Sequence, residues 1–300
     1  MRRALREDVG DGDLTTEWTI APESVACGRF EARQPGVVSG LFPACLAYRE
    51  VDPGLEFQAY LSDGDRVADG QLLAEVRGAA RSVLTGERTA LNFMRHLSGV
   101  ATLTRRYVEA VRDTRARIVD TRKTTPGLRA LEKRAVLHGG GENHRHGLYD
   151  MVLIKDNHIA AAGGVGAAVR LCRSKREQTG RRVAIEVETG DLPQVEEAVH
   201  SGADWIMLDN MSDETMRRAV QTVRAGQAGR ADQADQADQA GRSVRAGSTQ
   251  EQAIVIEASG RITLDRIEAV ANTGVDIISI GALTHSAPAL DISLTIETPA

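Results

Sequence analysis

Between residues 120 and 148 the chain reads DTRKTTPGLRALEKRAVLHGGGENHRHGL, which holds two of its four lysines and three of its seven histidines. Arg122 and Lys123 follow a short apolar run, and Pro126-Gly127 then turns the chain. His144 and Arg145 come just after Gly139-Gly140-Gly141, and Lys155 ends the next apolar run, MVLI. A planar guanidinium grips carboxylate or phosphate through paired hydrogen bonds, and lysine adds a compact charge. A glycine run lets backbone approach a ligand. Arg, Lys, His, Arg and Lys thus fall within 34 positions, a set suited to anionic groups, against the plainer reading of a solvated basic face. Lys133, on the helix between them, reads as solvated. His138, His144, His146 and His158 raise the question of zinc, but the surrounding cations repel a dication and no cysteine is near. His158, following Asp156-Asn157, reads as structural.

The acidic counterpart is Glu188 and Asp209, each at the end of an apolar run. Carboxylates so placed can bind Mg²⁺, hold sugar hydroxyls or stabilise a developing cation, or else simply cap the next helix. Ser259-Gly260 and Gly281-Ala282 close the last two runs, with His285 and Ser286 following. Small residues at such turns admit a phosphate to backbone N–H groups and helix N-termini. Together these groups suit a sugar-phosphate transferase or lyase acting on a polyanionic ligand.

These residues need a scaffold that brings strand ends together. From residue 117 onward, apolar runs recur: RIVDTRK, MVLIKDN, VAIEVET, WIMLDN, IVIEASG and DIISIGA. Amphipathic segments separate most of them, with Asp191, Ser212 and Thr263 as expected N-caps. Near-continuous apolar strands alternating with such helices predict a parallel sheet covered by helices. The expectation is a six- or seven-stranded β/α barrel whose C-terminal mouth gathers Arg122, Lys123, Lys155, Glu188, Asp209, Ser259 and Gly281. Residues 1–85 are instead punctuated by Gly and Asp, as short strands and turns. A helical period runs from Glu87 to Val111, with Gly99 a point where it could divide. Residues 225–252, with ADQ three times in tandem, offer no apolar face and read as a disordered or partly helical surface insertion.

The 300 residues are 42% hydrophobic and 26% charged, enough for a packed core. The net charge of −5 argues against non-specific nucleic-acid binding. Three separated cysteines, Cys27, Cys45 and Cys172, fit a reducing cytoplasm, and no run is long enough to span a membrane.

The stretches EDVGDGDLTTE, GERTALNF, DTRKTTPGLRALEKRAV, HGGGENHRHGLYDMVLIKDNHI, IEVET, MLDN, IEASG and SIGALTHS, in this order, resemble quinolinate phosphoribosyltransferase, also called nicotinate-nucleotide pyrophosphorylase (carboxylating). They run from residue 7 nearly to the C-terminus, and TRKTTPGLR with GGGENHR and LIKDNH is a highly specific combination. The resemblance implies an N-terminal α/β sandwich domain, residues 1–98 with 287–300, and a β/α-barrel domain, residues 99–286 with the insertion at 225–252. It implies a strand at ALDISLTI returning to the first domain. It implies a homodimer in which Arg88 reaches the partner's active site, in an enzyme of NAD biosynthesis. Quinolinate and phosphoribosyl pyrophosphate would give nicotinate mononucleotide, pyrophosphate and CO₂, with Mg²⁺ required.

By the same resemblance Arg122, His144, Arg145 and Lys155 clamp the two carboxylates of quinolinate. Lys123 and Arg88 neutralise the leaving pyrophosphate. Glu188 and Asp209 hold ribose hydroxyls and the metal, directly or through water. Ser259, Gly260, Gly281 and Ala282 cradle the 5′-phosphate, with Thr121, Arg261, Ser279, Ile280 and His285 completing the substrate-binding set. Lys123, Lys155, Glu188 and Asp209 form its catalytic core. Three features depart from the family: Arg134 where an aromatic is usual, Arg261 where a small or amide residue is usual, and a short N-terminus. The competing readings are a molybdate-transport-linked paralogue of this fold, a Schiff-base sugar-phosphate aldolase using Lys155, and a non-catalytic ligand-binding barrel.

Overall fold

The computed structural model describes residues 1–239 and 253–297, with backbone alone for 229–239. In chain order the elements are α1 Arg2–Val9, α2 Leu14–Thr19, β1 Val25–Ala32, β2 Gly36–Val37, α3 Leu41–Val51, β3 Glu56–Ala59, β4 Arg66–Val67, β5 Leu72–Ala79 and α4 Ala80–Ala110. There follow β6 Arg117–Val119, α5 Arg129–His138, β7 Val152–Ile154, α6 Asp156–Ala162, α7 Val165–Thr179, β8 Ile185–Thr189, α8 Leu192–Ser201 and β9 Trp205–Asp209. The chain closes with α9 Asp213–Gln239, β10 Val255–Ser259, α10 Ile267–Ala271, β11 Ile277–Ser279, α11 Ala282–His285 and β12 Ile292–Glu297. None of the described helices is long and apolar enough to cross a membrane.

The chain forms two compact units. The first takes Met1–Val108, Lys123–Glu142 and Gly281–Ala300. Its four-stranded antiparallel sheet has the order β12-β1-β5-β3. Strand β1 alternates strictly, burying Ala26, Gly28, Phe30 and Ala32, as the two-residue period of a half-buried strand requires. With few aromatics in the chain, Phe30, Tyr48 and Phe57 meet at ring distances of 6.0 to 6.1 Å in a core filled otherwise by Leu73, Val76, Met94, Leu290 and Ile292. Strand β12 pairs antiparallel with β1, so the C-terminal strand does return to the N-terminal sheet.

Helix α4 runs unbroken through Gly99 and through the expected domain boundary after residue 98. Glycine is there for packing: a Cβ at Gly99 would collide with the Pro288 carbonyl. The residue that weakens the helical pattern is thus the one that lets the returning chain lie against the helix.

The second unit takes Glu109–Arg122 and Asn143–Ile280. All six apolar runs form strands of one parallel sheet, in the order β6-β11-β10-β9-β8-β7. The first strand beside the last, with every other strand beside its sequence neighbour, is the cyclic order of a β/α barrel. Helices α7, α8 and α9 pack in series over it. Asp191 caps α8 by accepting from the Gln194 amide at 2.9 Å, and the Ser212 hydroxyl accepts from the Thr215 amide at 3.1 Å ahead of α9. Thr263 does not cap a helix as expected. Its carbonyl closes a turn with the Arg266 amide, and α10 begins only at Ile267.

Register is pinned at the lower strand ends by a repeated device. Asp204 accepts from the Ile185 amide at 2.7 Å and from Arg176, and Asp276 accepts from the Ile256 amide at 2.9 Å and from Arg224 at 2.6 Å. The helix α9 carries the low-complexity run on as far as Gln239, because Ala, Gln and Arg are good helix formers. The rest of the expected insertion, 240–252, lies outside the described residues.

Candidate active site

In the parallel sheet, paired residues of neighbouring strands point the same way. Glu186 pairs with Trp205, Glu188 with Met207, Glu257 with Met207 and Ser259 with Asp209. Two-residue alternation therefore sets Glu188, Asp209 and Ser259 on one face, near the C-terminal strand ends, with Glu186 and Glu257 one step deeper on that face.

Lys155 stands just past β7. Its Nζ meets Glu188 Oε2 at 2.5 Å, an ion pair between a half-exposed lysine and a mostly covered carboxylate. Its own amide donates to His158 Nδ1 at 3.0 Å, so His158 caps α6 and does hold structure. Asp209 accepts from the Asn210 side-chain amide at 2.8 Å, and the Asn210 amide donates to the Ser259 carbonyl at 3.0 Å, which ties the ends of β9 and β10 together. Asn210 takes a left-handed φ of 54° for this. Gly260, at φ 96°, leaves its absent side chain's space to Asn210, so packing as well as ligand access demands glycine there. Arg261 follows at φ 48°, a left-handed conformation that an arginine adopts at a cost. Ile280 is buried and its amide is committed to the Val119 carbonyl at 3.0 Å; Ser279 beside it is buried too.

Arg145 leaves a loop that Asp150 organises by accepting from the amides of His146 at 2.6 Å and Gly147 at 2.9 Å. Its guanidinium donates to the Met151 carbonyl at 3.3 Å. Burial and the nearby Arg122 guanidinium lower its proton affinity, and Glu186 and Asp150 restore part of it. Two like charges are thus held near one another, an arrangement that suits a ligand with two negative groups. Arg122 and Thr121 are partly covered.

His144, expected at the quinolinate carboxylates, lies against two acids. Its imidazole is buried, with Nε2 3.1 Å from Glu186 and 3.1 Å from Glu257, both of them fully buried, and its ring meets the edge of Trp205 at 5.9 Å. Its amide donates to the buried Asp120 at 3.0 Å. Burial opposes a charged imidazole, but the two carboxylates win and raise its pKa to about 10. Burial and the neighbouring Glu257 push the Glu186 carboxyl up to about 8. Neither glutamate was singled out from the sequence. The signal was present: each lies two residues before a strand-end site residue, in IEVET and IEASG, and interrupts an apolar run.

The other predicted residues lie in the first unit. A Cβ on Gly281 would come within 3.0 Å of Lys123 Cδ and 3.1 Å of His285 Nε2, so these three converge. Thr284 Oγ1 donates to the Lys123 carbonyl at 2.9 Å, and Ala282 opens α11 beside them. Arg88 is 54% exposed on α4, with Glu87 its neighbour at 3.7 Å.

One expectation is corrected in this unit. Lys133 is fully buried, as is Glu132, which meets His96 at 2.8 Å and the Thr125 amide at 3.0 Å. The helix face carrying them packs inward, so Lys133 is no solvated residue. The Gly run also has a structural cause. A Cβ on Gly139 would lie 2.5 Å from the Ala101 carbonyl and 2.5 Å from Thr104 Cβ, so the end of α5 can approach α4 only through glycine. Arg134, the departure from the family pattern, is exposed.

Comparisons with known proteins bear on this arrangement. Residues 13–98 match the family model "Quinolinate phosphoribosyl transferase, N-terminal domain", and residues 100–295 match that of the C-terminal domain. The probable nicotinate-nucleotide pyrophosphorylase [carboxylating] of Synechocystis is 42% identical over 99% of this chain and 91% of its own length. The Mycobacterium leprae nicotinate-nucleotide pyrophosphorylase [carboxylating] is 41% identical over 99% of this chain and 95% of its own. The solved nicotinate-nucleotide pyrophosphorylase of Francisella tularensis superposes with a TM-score of 0.85 at 34% identity, covering 99% of this chain and 94% of that one. With both domains matched in sequence and the whole chain matched in fold, the chain belongs to the quinolinate phosphoribosyltransferase family.

Proposed function

We propose that this enzyme transfers the phosphoribosyl group of phosphoribosyl pyrophosphate to quinolinate, giving nicotinate mononucleotide, pyrophosphate and CO₂ for NAD biosynthesis. The observation that carries the reading is the paired Arg122 and Arg145 in one unit with Lys155 and Glu188 at the strand ends. Quinolinate is a dianion, and two guanidiniums with a lysine match its two carboxylates. Holding the ring so that its nitrogen faces the anomeric carbon removes orientational freedom before the reaction. The nitrogen forms the new C–N bond as the pyrophosphate oxygen leaves with the electron pair of the broken C–O bond. Glu188 and Asp209 stabilise the cationic character that develops on the ribose. The quaternised ring then accepts the electron pair of the breaking C–CO₂⁻ bond, and a proton from solvent replaces the lost CO₂.

Lys123 and Arg88 are assigned to the pyrophosphate, and Ser259, Gly260, Gly281 and Ala282 to the 5′-phosphate. Thr121, Arg261, Ser279 and His285 line the substrate, while Ile280 holds its loop. Glu188 and Asp209 are hard oxygen donors of the kind Mg²⁺ takes, so they would hold it, directly or through water. When bound, the ion supplies charge neutralisation for the pyrophosphate. We assign the enzyme to the cytoplasm and to a homodimer in which Arg88 serves the partner's site.

The Schiff-base alternative needs a free amine, whereas Lys155 lies against a carboxylate. A pure anion binder gains nothing from Glu188 and Asp209. The test is an assay following quinolinate, CO₂ and nicotinate mononucleotide with and without Mg²⁺, and with nicotinate in place of quinolinate. Equal turnover of nicotinate would sink the substrate assignment. Mixed dimers of Arg88→Ala and Lys155→Ala chains should regain one working site per dimer; no recovery would remove the shared site.

A further inference from the structure

We infer that Glu186 and Glu257 are positioning residues for the dicarboxylate clamp: inside the barrel they hold His144 as a cation, and the His144–Arg145 peptide carries that anchoring to Arg145. The inference rests on the proposed substrate and extends it to groups that never touch the ligand.

Two carboxylates fully buried inside a barrel are costly unless paired. Nothing in an apolar strand calls for them, and the imidazole within 3.1 Å of both is the group that compensates them. Several elements bring groups to His144. Glu186 comes from β8, Glu257 from β10 and Asp120 from the end of β6, while β9 presents the uncharged edge of Trp205. Arg145 is its chain neighbour, and Arg145 in turn feels Arg122 and Glu186.

The network does more than neutralise charge. Asp120 lies two residues before Arg122 and accepts the amide of His144, one residue before Arg145. The segments bearing the two mutually repelling guanidiniums are therefore fastened to each other below the site. The His144 ring is fastened a second time, to β8 and β10. Loosening that ring frees Arg145 but leaves the phosphate and pyrophosphate groups alone, so the effect should fall on quinolinate.

The isosteric variants Glu257→Gln and Glu186→Gln, made in the full-length enzyme, test this. In wild type the KM for quinolinate should show no dependence on this histidine between about pH 6.5 and about pH 9. In either variant the imidazole should lose its proton within that window, and the KM for quinolinate should rise about tenfold across it, with the KM for phosphoribosyl pyrophosphate unchanged. Nitrogen-15 spectra of labelled histidine should show an imidazolium at His144 in wild type at about pH 8 and a neutral ring in the variants. A neutral His144 in wild type would overturn the inference. So would equal losses in both KM values with no pH dependence, or one equivalent of retained metal that Glu257→Gln releases. If instead quinolinate is not the substrate, wild-type turnover is absent while the histidine spectrum still reads the network.

Discussion

Replacing Lys155 separates a catalytic contribution from a structural one. The lysine is 46% exposed and its partner Glu188 is 19% exposed. At that exposure the pair is screened by water, and its share in folding is at most about 1 kcal/mol. Lys155→Met keeps the length and apolar body of the side chain, so the melting temperature should move little. Its effect on turnover should be far larger. A ligand carboxylate left facing a methionine loses a charge-assisted contact worth about 2 to 5 kcal/mol. That corresponds to a fall in kcat/KM of roughly 30-fold to roughly 5,000-fold. Lys155→Arg should not restore it, since a broad planar fork cannot occupy the place of a compact ammonium against Glu188. The assays are quinolinate consumption under saturating phosphoribosyl pyrophosphate and thermal unfolding of the same preparations. A drop in stability of several kcal/mol, with activity falling only in proportion to the unfolded fraction, would refute the argument. So would a variant that keeps wild-type kcat/KM.

Three further outcomes are expected. His144 and Glu186 both bind protons more tightly when folded, at about 10 and about 8 against ordinary values of 6.5 and 4.5. Groups shifted in that direction stabilise the fold below their unfolded pKa and lose that contribution as pH rises. The unfolding free energy should therefore fall as pH rises, through Glu186 between about pH 4.5 and about pH 8 and through His144 between about pH 6.5 and about pH 10, by up to about 1.4 kcal/mol per pH unit for each proton, and the fall should flatten in Glu257→Gln. Gly99→Ala should lose about 2 kcal/mol by denaturant unfolding, because backbone overlap with Pro288 outweighs the ~1 kcal/mol gained in helix propensity; a stabilised variant would contradict the close approach. Arg261→Asn should raise the unfolding free energy by about 1 kcal/mol, since asparagine tolerates the left-handed φ of 48° that arginine resists; an unchanged melting temperature would mean that the turn stores no strain.

The barrel was readable from sequence because its signal is local and repeated. Each strand is a short apolar run ending in a polar residue, and each such run became a strand of the parallel sheet. The strand-end places of Lys155, Glu188 and Asp209 were legible for the same reason. What escaped was set by packing between distant segments. The end of α5 reads as a ligand-approach loop, and the sequence does not show that Ala101 and Thr104 also fill the space beside Gly139. Lys133 looks like any charged helix residue, and the sequence does not say that its face turns inward. His144 reads as a quinolinate contact beside Arg145, and the sequence does not show that its ring is buried against Glu186 and Glu257. Adjacent residues in irregular chain can differ in burial, and here His144 is buried while Arg145 is partly covered.

The same period that revealed the strand-end residues also sets the deeper charges one layer beneath them. In a barrel, residues two apart on a strand occupy successive interior layers. Glu186 below Glu188, and Glu257 below Ser259, are thus the nearest positions from which the sheet itself can influence the mouth. An apolar layer there would pack well but would remove the Glu186 charge that offsets part of the repulsion between Arg122 and Arg145. A bare pair of glutamates would overcompensate and compete with the ligand's carboxylates. With His144 bound between them, the acids are largely neutralised, and what remains acts over a short range on Arg145. On the inference drawn above, the barrel interior would thereby keep the two cations close and ready for a dicarboxylate.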